Sequence, residues 1–433
     1  LPIDFTAKLT SFAAVVEINL FDVITVKAGF AQKDVLVDLD LNGDGTRDID
    51  NASLTTYAVS IDQTAEDPQF VRIQVDGVGV LISSGQLVIA SIELVDGRSF
   101  LALRADNIAA ELIGLSDIIT LGISGVGVEY NSAKDASGAA SDEVLNWTTA
   151  LDLDLNGVFG DVLDPGGDLP TPVMMPISST SKRLRVVAGG YLRVSDDFIA
   201  VIEAGGLTID LATADVITGN SALGTDETIT GAKIQSFSVT SAQVFIGTDA
   251  ALNETKDGID TSNAAGFLVE SASFKLSSVS SDTHAYIGLE MALENARFVG
   301  LDGMEFYASG SVLYNKAKLI GSNDPEPTER INWAVATDDA NDPDNLLPEF
   351  DVALTSSVSL QVNGSVVLDV FGDVFGTAAF SYSVGTETIT TGNTNIGGGT
   401  LTDAKATIFS LSDFNLFVGV GGSLNDNGSP GVV

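Results

Sequence analysis

Apolar and polar residues alternate along most of the chain, as in Val35-Leu-Val-Asp-Leu-Asp-Leu41, Phe70-Val-Arg-Ile-Gln-Val75 and Val358-Ser-Leu-Gln-Val-Asn-Gly364. A period of two puts every second side chain on one face of an extended strand, so the spacing predicts half-buried β-strands. Val, Ile, Thr and Phe, which fit a pleated surface, dominate these pieces. Gly, Asn, Asp and Ser, which form turns, mark the breaks. Strand-like pieces of five to nine residues recur about every 10–12 residues. Helical periodicity is weak: residues 104–113 can be drawn as a helix, but the similar stretch at 290–299 contains Phe298 and Val299 and alternates. The expected fold is all-β, an elongated β-solenoid-like stack of tandem repeats, with tandem β-sandwich domains as the alternative. Small residues midway through many runs, as between Leu289 and Gly300, are expected to bend the chain at rung corners.

The alternation itself repeats. Residues 99–114 (SFLALRADNIAAELIG) resemble 285–300 (AYIGLEMALENARFVG), at an offset of 186. Each stretch leads into a run ending in Tyr-Asn (Tyr130-Asn131, Tyr314-Asn315), then into Asn-Trp (Asn146-Trp147, Asn332-Trp333). Residues 79–92 resemble 266–279 at an offset of 187, and 232–252 match 404–424 without a gap at 172. Proline-marked boundaries at Leu1-Pro2, Met175-Pro176 and Leu347-Pro348 divide the chain into expected units 1–174, 175–346 and 347–433. The last is half a unit, so the pattern is expected to continue beyond residue 433.

Composition narrows what such a molecule does. Against 59 Asp and Glu stand 20 Lys and Arg, a net charge of −39, which excludes a phosphate-binding surface and so nucleic acid. It favours solubility and cation binding. Without cysteine there is no thiol catalysis, thiolate metal site or disulfide. No apolar run reaches the ~18 residues of a membrane helix; the best, Ile108 to Val128, is broken by Glu111 and Asp117. No membrane insertion is expected. The chain opens Leu-Pro-Ile-Asp and reads as a mature or excised piece of a secreted or cell-surface protein.

The sharpest local motif is Asp40-Leu-Asn42-Gly-Asp44-Gly45-Thr46-Arg-Asp48. Oxygen ligands at alternate positions with glycine at the sixth are what a tight loop needs to wrap Ca²⁺. The motif resembles the calcium loops of EF-hand, dockerin and thrombospondin type-3 repeats. By that resemblance Asp40, Asn42, Asp44 and Asp48 offer side chains to the metal and Thr46 its carbonyl. It departs at the twelfth position, where Asn51 stands in place of Glu and Asp50 is the expected replacement. A second acidic loop, Asp152-Leu-Asp154-Leu-Asn156-Gly157, begins in the same way and then loses the spacing, with Asp161, Asp164 and Asp168 following. A third cluster spans Asp338 to Asp344. For both, a solvated acidic loop is the competing reading.

The remaining chemistry is sparse. His284 is the sole histidine and reads as a surface residue. Lys182, Arg183, Arg185 and Arg193 read as a strand face paired with carboxylates, or as a contact for an acidic patch on another subunit. Trp147 and Trp333 read as structural anchors, and Gly397 to Gly399 as a turn. In acidity, missing cysteine and long degenerate β units, the whole chain resembles the repeat region of large bacterial secreted or cell-surface, adhesin-like proteins. That resemblance implies a non-catalytic filament, stalk or surface layer stiffened by calcium. Its implied partners are copies of itself and, secondarily, surface polysaccharide. An adhesin arm bearing a distal binding tip and a carbohydrate-active β-helix enzyme are the alternatives.

Overall fold

In a computed structural model the structure describes residues 15–20, 24–61, 69–75, 78–113, 119–141, 143–166, 173–194, 198–223, 228–300, 303–320, 329–420, 422–424 and 430–432. The fold is almost entirely β. Among the described residues the one α-helix is a single turn, and no helix is long and apolar enough to cross a membrane. The chain divides into two compact units, Leu1–Gly190 with Thr208–Ala214, and Tyr191–Leu207 with Asp215–Val433.

The first unit contains β1 (Val15–Leu20), β2 (Ile24–Leu39), β3 (Ile49–Ile61), β4 (Phe70–Val75), β5 (Val78–Glu93), β6 (Ser99–Ile113), β7 (Ile119–Lys134), the short β8 (Ala140–Ser141) and β9 (Leu151–Asp152), and most of β10 (Lys182–Val194). Successive strands pair antiparallel in a meander, β1 with β2, β5 with β6 and β6 with β7. β3 and β4 lie end to end in one sheet position. Along β2, β3 covers Gly29 to Leu39 and β4 covers Ile24 to Lys27, and both pair with β5 on their other side. β10 pairs with β7. β11 (Phe198–Ile217) contributes residues to each unit.

The second unit is likewise built of long antiparallel strands. It contains β12 (Thr228–Thr248), a small hairpin of β13 (Ala251–Leu252) and β14 (Ile259–Asp260), β15 (Ala265–Ser280), β16 (His284–Val299), β17 (Met304–Leu319), α1 (Trp333–Ala336), β18 (Val358–Val370), β19 (Val374–Thr390), β20 (Thr400–Val418), and a terminal hairpin of β21 (Gly422–Leu424) and β22 (Pro430–Val432). β12, β15, β16, β17, β18, β19 and β20 pair antiparallel in that order. The segments that resemble each other in sequence hold equivalent positions: 79–92 lies in the 16-residue β5 and 266–279 in the 16-residue β15.

The main strands run 13–21 residues, well beyond the five to nine expected. The small residues that looked like ends are bulges inside longer strands. Pairing shifts register between Ala105 and Ile108, between Val239 and Ala242, and between Leu293 and Ala296. Asn295 adopts φ 54° there, in the left-handed region. A bulge lets the ladder resume with one residue looped out, so a turn former need not end the strand.

In the first unit the ends of β2, β3, β5, β6 and β7 present Leu39, Leu54, Ile92, Phe100 and Ala133 to a core closed by the irregular chain after β7, through Leu145, Trp147, Leu163 and Ile177. What docks this chain is Asn131 on β7. Its buried Nδ2 donates to the carbonyls of Leu145 (3.0 Å) and Ser179 (2.9 Å), and its Oδ1 accepts from the Trp147 indole (3.1 Å). The second unit contains the same device. Asn315 on β17 donates to Ile331 (2.8 Å) and Thr355 (3.0 Å) and accepts from Trp333 (3.1 Å). Both indoles are fully buried. Each of these polar groups is removed from water, and each is paired.

Candidate functional site

The docked chain after Trp147 brings two acidic loops side by side. β9 pairs with the end of β2, Asp38 opposite Asp152 and Leu39 opposite Leu151, and the Asp40 amide donates to Ala150 (3.0 Å). Three carboxylates, Asp38, Asp40 and Asp152, are thereby buried. Buried charge is costly unless hydrogen-bonded or paired, and here each carboxylate is.

The five residues expected to hold a metal lie in one loop. Asp40 accepts the amides of Gly43 (2.8 Å), Asp44 (3.3 Å) and Gly45 (2.7 Å), and Asp48 accepts that of Leu41 (2.8 Å). Asn42, Asp44 and Thr46 are exposed and bond to one another. Donation from the Thr46 hydroxyl and amide holds the Asp44 carboxyl below its ordinary range. Asp50 serves Arg47 instead (2.9 Å). That guanidinium also reaches Asp38 (2.7 Å), whose carboxyl the Asn51 amide and then Arg47 hold below the usual range.

The second loop has the same internal architecture. Asp152 accepts the amides of Asn156 (3.0 Å) and Gly157 (2.7 Å), and Asp161 accepts that of Leu153 (2.7 Å). Gly157 (φ 86°) and Gly45 (φ 79°) occupy the left-handed conformation that the sixth position requires. Asp161 thus does the work of Asp48 from one residue further along. This equivalence escapes a fixed-spacing reading, and the shared hexapeptide Asp-Leu-Asp-Leu-Asn-Gly at 38–43 and 152–157 lines the loops up two residues out of this register.

Among the described residues, Asp152, Asp154 and Asp161 are the one group whose carboxylate oxygens lie mutually within 4.8 Å. That separation fits a shared hard cation with bonds of about 2.4 Å, the Ca²⁺ range. The first loop does not gather its carboxylates in this way. In the third cluster, Asp342 caps the amides of Leu346 (3.0 Å) and Leu347 (2.8 Å). Gly114, Asp168 and Leu1-Pro2 lie outside the described residues.

Two of the other candidates have structural partners. Arg183 forms a buried ion pair with Asp210 (2.6 Å). His284 bonds to Thr283 (2.8 Å) and stacks on Tyr286. Gly397–Gly399 is a single 3-10 turn. With both indoles buried, neither tryptophan offers a face to a sugar. Comparison with known proteins brings no match: no family model, no curated protein and no solved structure is similar to this chain.

Proposed function

We propose that this chain is a non-catalytic structural module of an extracellular or cell-surface assembly, extended by adding antiparallel strands of like kind. The observation behind this reading is the pair of Asn–Trp junctions, which make the same three hydrogen bonds at matched places in two stretches of similar sequence. A duplicated unit that docks its own connecting segment can be repeated without enlarging any one core. In this sense the molecule is solenoid-like: each strand draws its stability from its immediate neighbours.

Asp152, Asp154 and Asp161 would hold the stiffening Ca²⁺, which supplies positive charge to a carboxylate-rich junction. Asp40 and Asp48 accept backbone amides and shape the adjoining loop, as Asp152 and Asp161 do in theirs. Calorimetric titration with Ca²⁺ tests the metal, and electron microscopy with sedimentation tests assembly. The expected results are saturable binding lost in Asp152→Asn, with Tm raised relative to EDTA, and ordered linear assemblies. At 100 times Kd a ligand adds about 2.7 kcal/mol of stability. A Tm indifferent to EDTA removes the calcium role, and a chain monomeric at every concentration removes the assembly.

A further inference from the structure

β12 and β20 present one sequence pattern in two settings. Residues 232–247 match 404–419 position for position at an offset of 172. β12 is covered by β15, antiparallel, from Lys233 opposite Ser280 to Thr248 opposite Ala265. β20 pairs with β19, and among the described residues no other long strand pairs with it. The burial follows: Phe245 on β12 is 1% exposed, and its counterpart Phe417 is 36% exposed. Leu411 and Leu416, counterparts of the half-buried Val239 and Val244, are 57% and 60% exposed. Both strands have a bulge at this place, at residues 240–241 in β12 and beside Asp413 in β20.

A long edge strand normally guards its unpaired amides with charge, proline or brevity. β20 has none of these over Ala406–Ser412, a seven-residue stretch without charge or proline. The molecule also indicates what fits. Where this position occurs elsewhere, as β3 with β4 and as β12, a strand of one kind lies beside it: β5 in the first case, β15 in the second. Their sequences, GVLISSGQLVIASI and GFLVESASFKLSSV, share the alternation and the leading glycine.

We propose that the free edge of β20 is an acceptor for one antiparallel strand of the β5/β15 kind, supplied by another repeat unit. The register is that of β12 with β15, moved along by 172 residues. It sets Phe409 opposite the place of Leu276, Leu411 opposite that of Phe274, and Phe417 opposite that of Leu268. Main-chain pairing supplies affinity, and the alternating apolar side chains fix the register. The inference rests on the strand-addition reading above and names its acceptor.

The test uses the full chain and a labelled peptide with the sequence of residues 265–280 and a solubilising tail. Fluorescence anisotropy should show saturable one-to-one binding, and amide exchange over 400–418 should slow by about tenfold or more. A scrambled peptide, and one with proline at the position of Ser273, should bind about tenfold more weakly, because proline removes a ladder amide. Equal binding of all three peptides, or protection outside 400–418, would overturn the proposal. So would β20 amides already protected in the free chain at every dilution, since the edge would then be covered from within the chain. Ordered assemblies without peptide discrimination would sink this inference and leave the structural-module reading standing; discrimination without assembly would do the reverse.

Discussion

The two tryptophan junctions use one device in two environments. In each, an asparagine on a strand ties down two backbone carbonyls and an indole, so the chain that follows is docked by the same three bonds. Beneath and around the indole they differ. Gly288 sits under Trp333 so closely that an added Cβ would fall 2.5 Å from the ring, whereas Ala102 holds the matching register position, opposite Asn131, in the first unit. Asn146 spends its Oδ1 on the hydroxyl (2.7 Å) and amide (3.1 Å) of Thr148. Asn332 has Ala334 in the matching place, and among the described residues its buried Oδ1 has no hydrogen-bond partner. The first junction goes on to place the acidic loops; the second continues into α1 and the Asp342 cap. The three hydrogen bonds and the buried indole are what the two junctions share, and their surroundings diverge.

The strongest way to break the comparison is to remove the indoles. Trp147→Ala and Trp333→Ala should each cost about 3–5 kcal/mol in urea unfolding. Only the first should also weaken Ca²⁺ binding, because only it undocks Asp152. Asn131→Leu and Asn315→Leu should each cost about 3 kcal/mol, by stranding two carbonyls and an indole N–H at 1–3 kcal/mol per unpaired group. Equal losses on both sides would show that the device works alike in both settings.

Smaller changes probe the differences. Gly288→Ala should destabilise by about 1–3 kcal/mol through overpacking against Trp333. Ala102→Gly should cost about 0.5–1 kcal/mol, the ordinary expense of glycine within a strand. Ala334→Thr should stabilise by about 0.5–1.5 kcal/mol by giving Asn332 the partner that Asn146 has; no gain would mean that a hydroxyl there cannot reach it. The slightest effect is expected in acid. Asp38 has a depressed carboxyl pKa in the folded state, so its contribution is complete above the unfolded value of about 3.9 and disappears as pH falls through the folded one. Asp38→Asn should therefore flatten the acid limb of stability below about pH 4. The change should appear in Trp147 fluorescence of a Trp333→Phe background and be absent from Trp333 fluorescence of a Trp147→Phe background.

Much of the fold was legible because its signals are local. Alternation marked Val358–Gly364 and Phe70–Val75 as strands, and internal likeness pointed to β5 with β15 and to β6 with β16 before any pairing was seen. The glycine at the sixth position of the first acidic loop announced a tight turn, and Gly45 is left-handed there. Strand length was misjudged because a turn former inside a strand and one at its end look alike until a neighbour shows whether the ladder resumes. Folding also adds a second metal candidate beside Asp40–Asp48, in Asp152, Asp154 and Asp161, for a related reason. Spacing shows which residues can share a loop, and only folding decides which carboxylates come close enough to share an ion.

Composition and periodicity by themselves determined that the chain is β-rich, acidic and free of thiol chemistry. They left Asn131 and Asn315 as unremarkable ends of two strands. Tertiary structure decided the rest, because the Asn131 partners lie 14 to 48 residues away and the exposure of Phe417 depends on whether a strand lies beside it. A side chain's own pattern is set by its immediate neighbours in the chain, whereas its hydrogen-bond partners and its burial are set by whatever the folded backbone brings alongside.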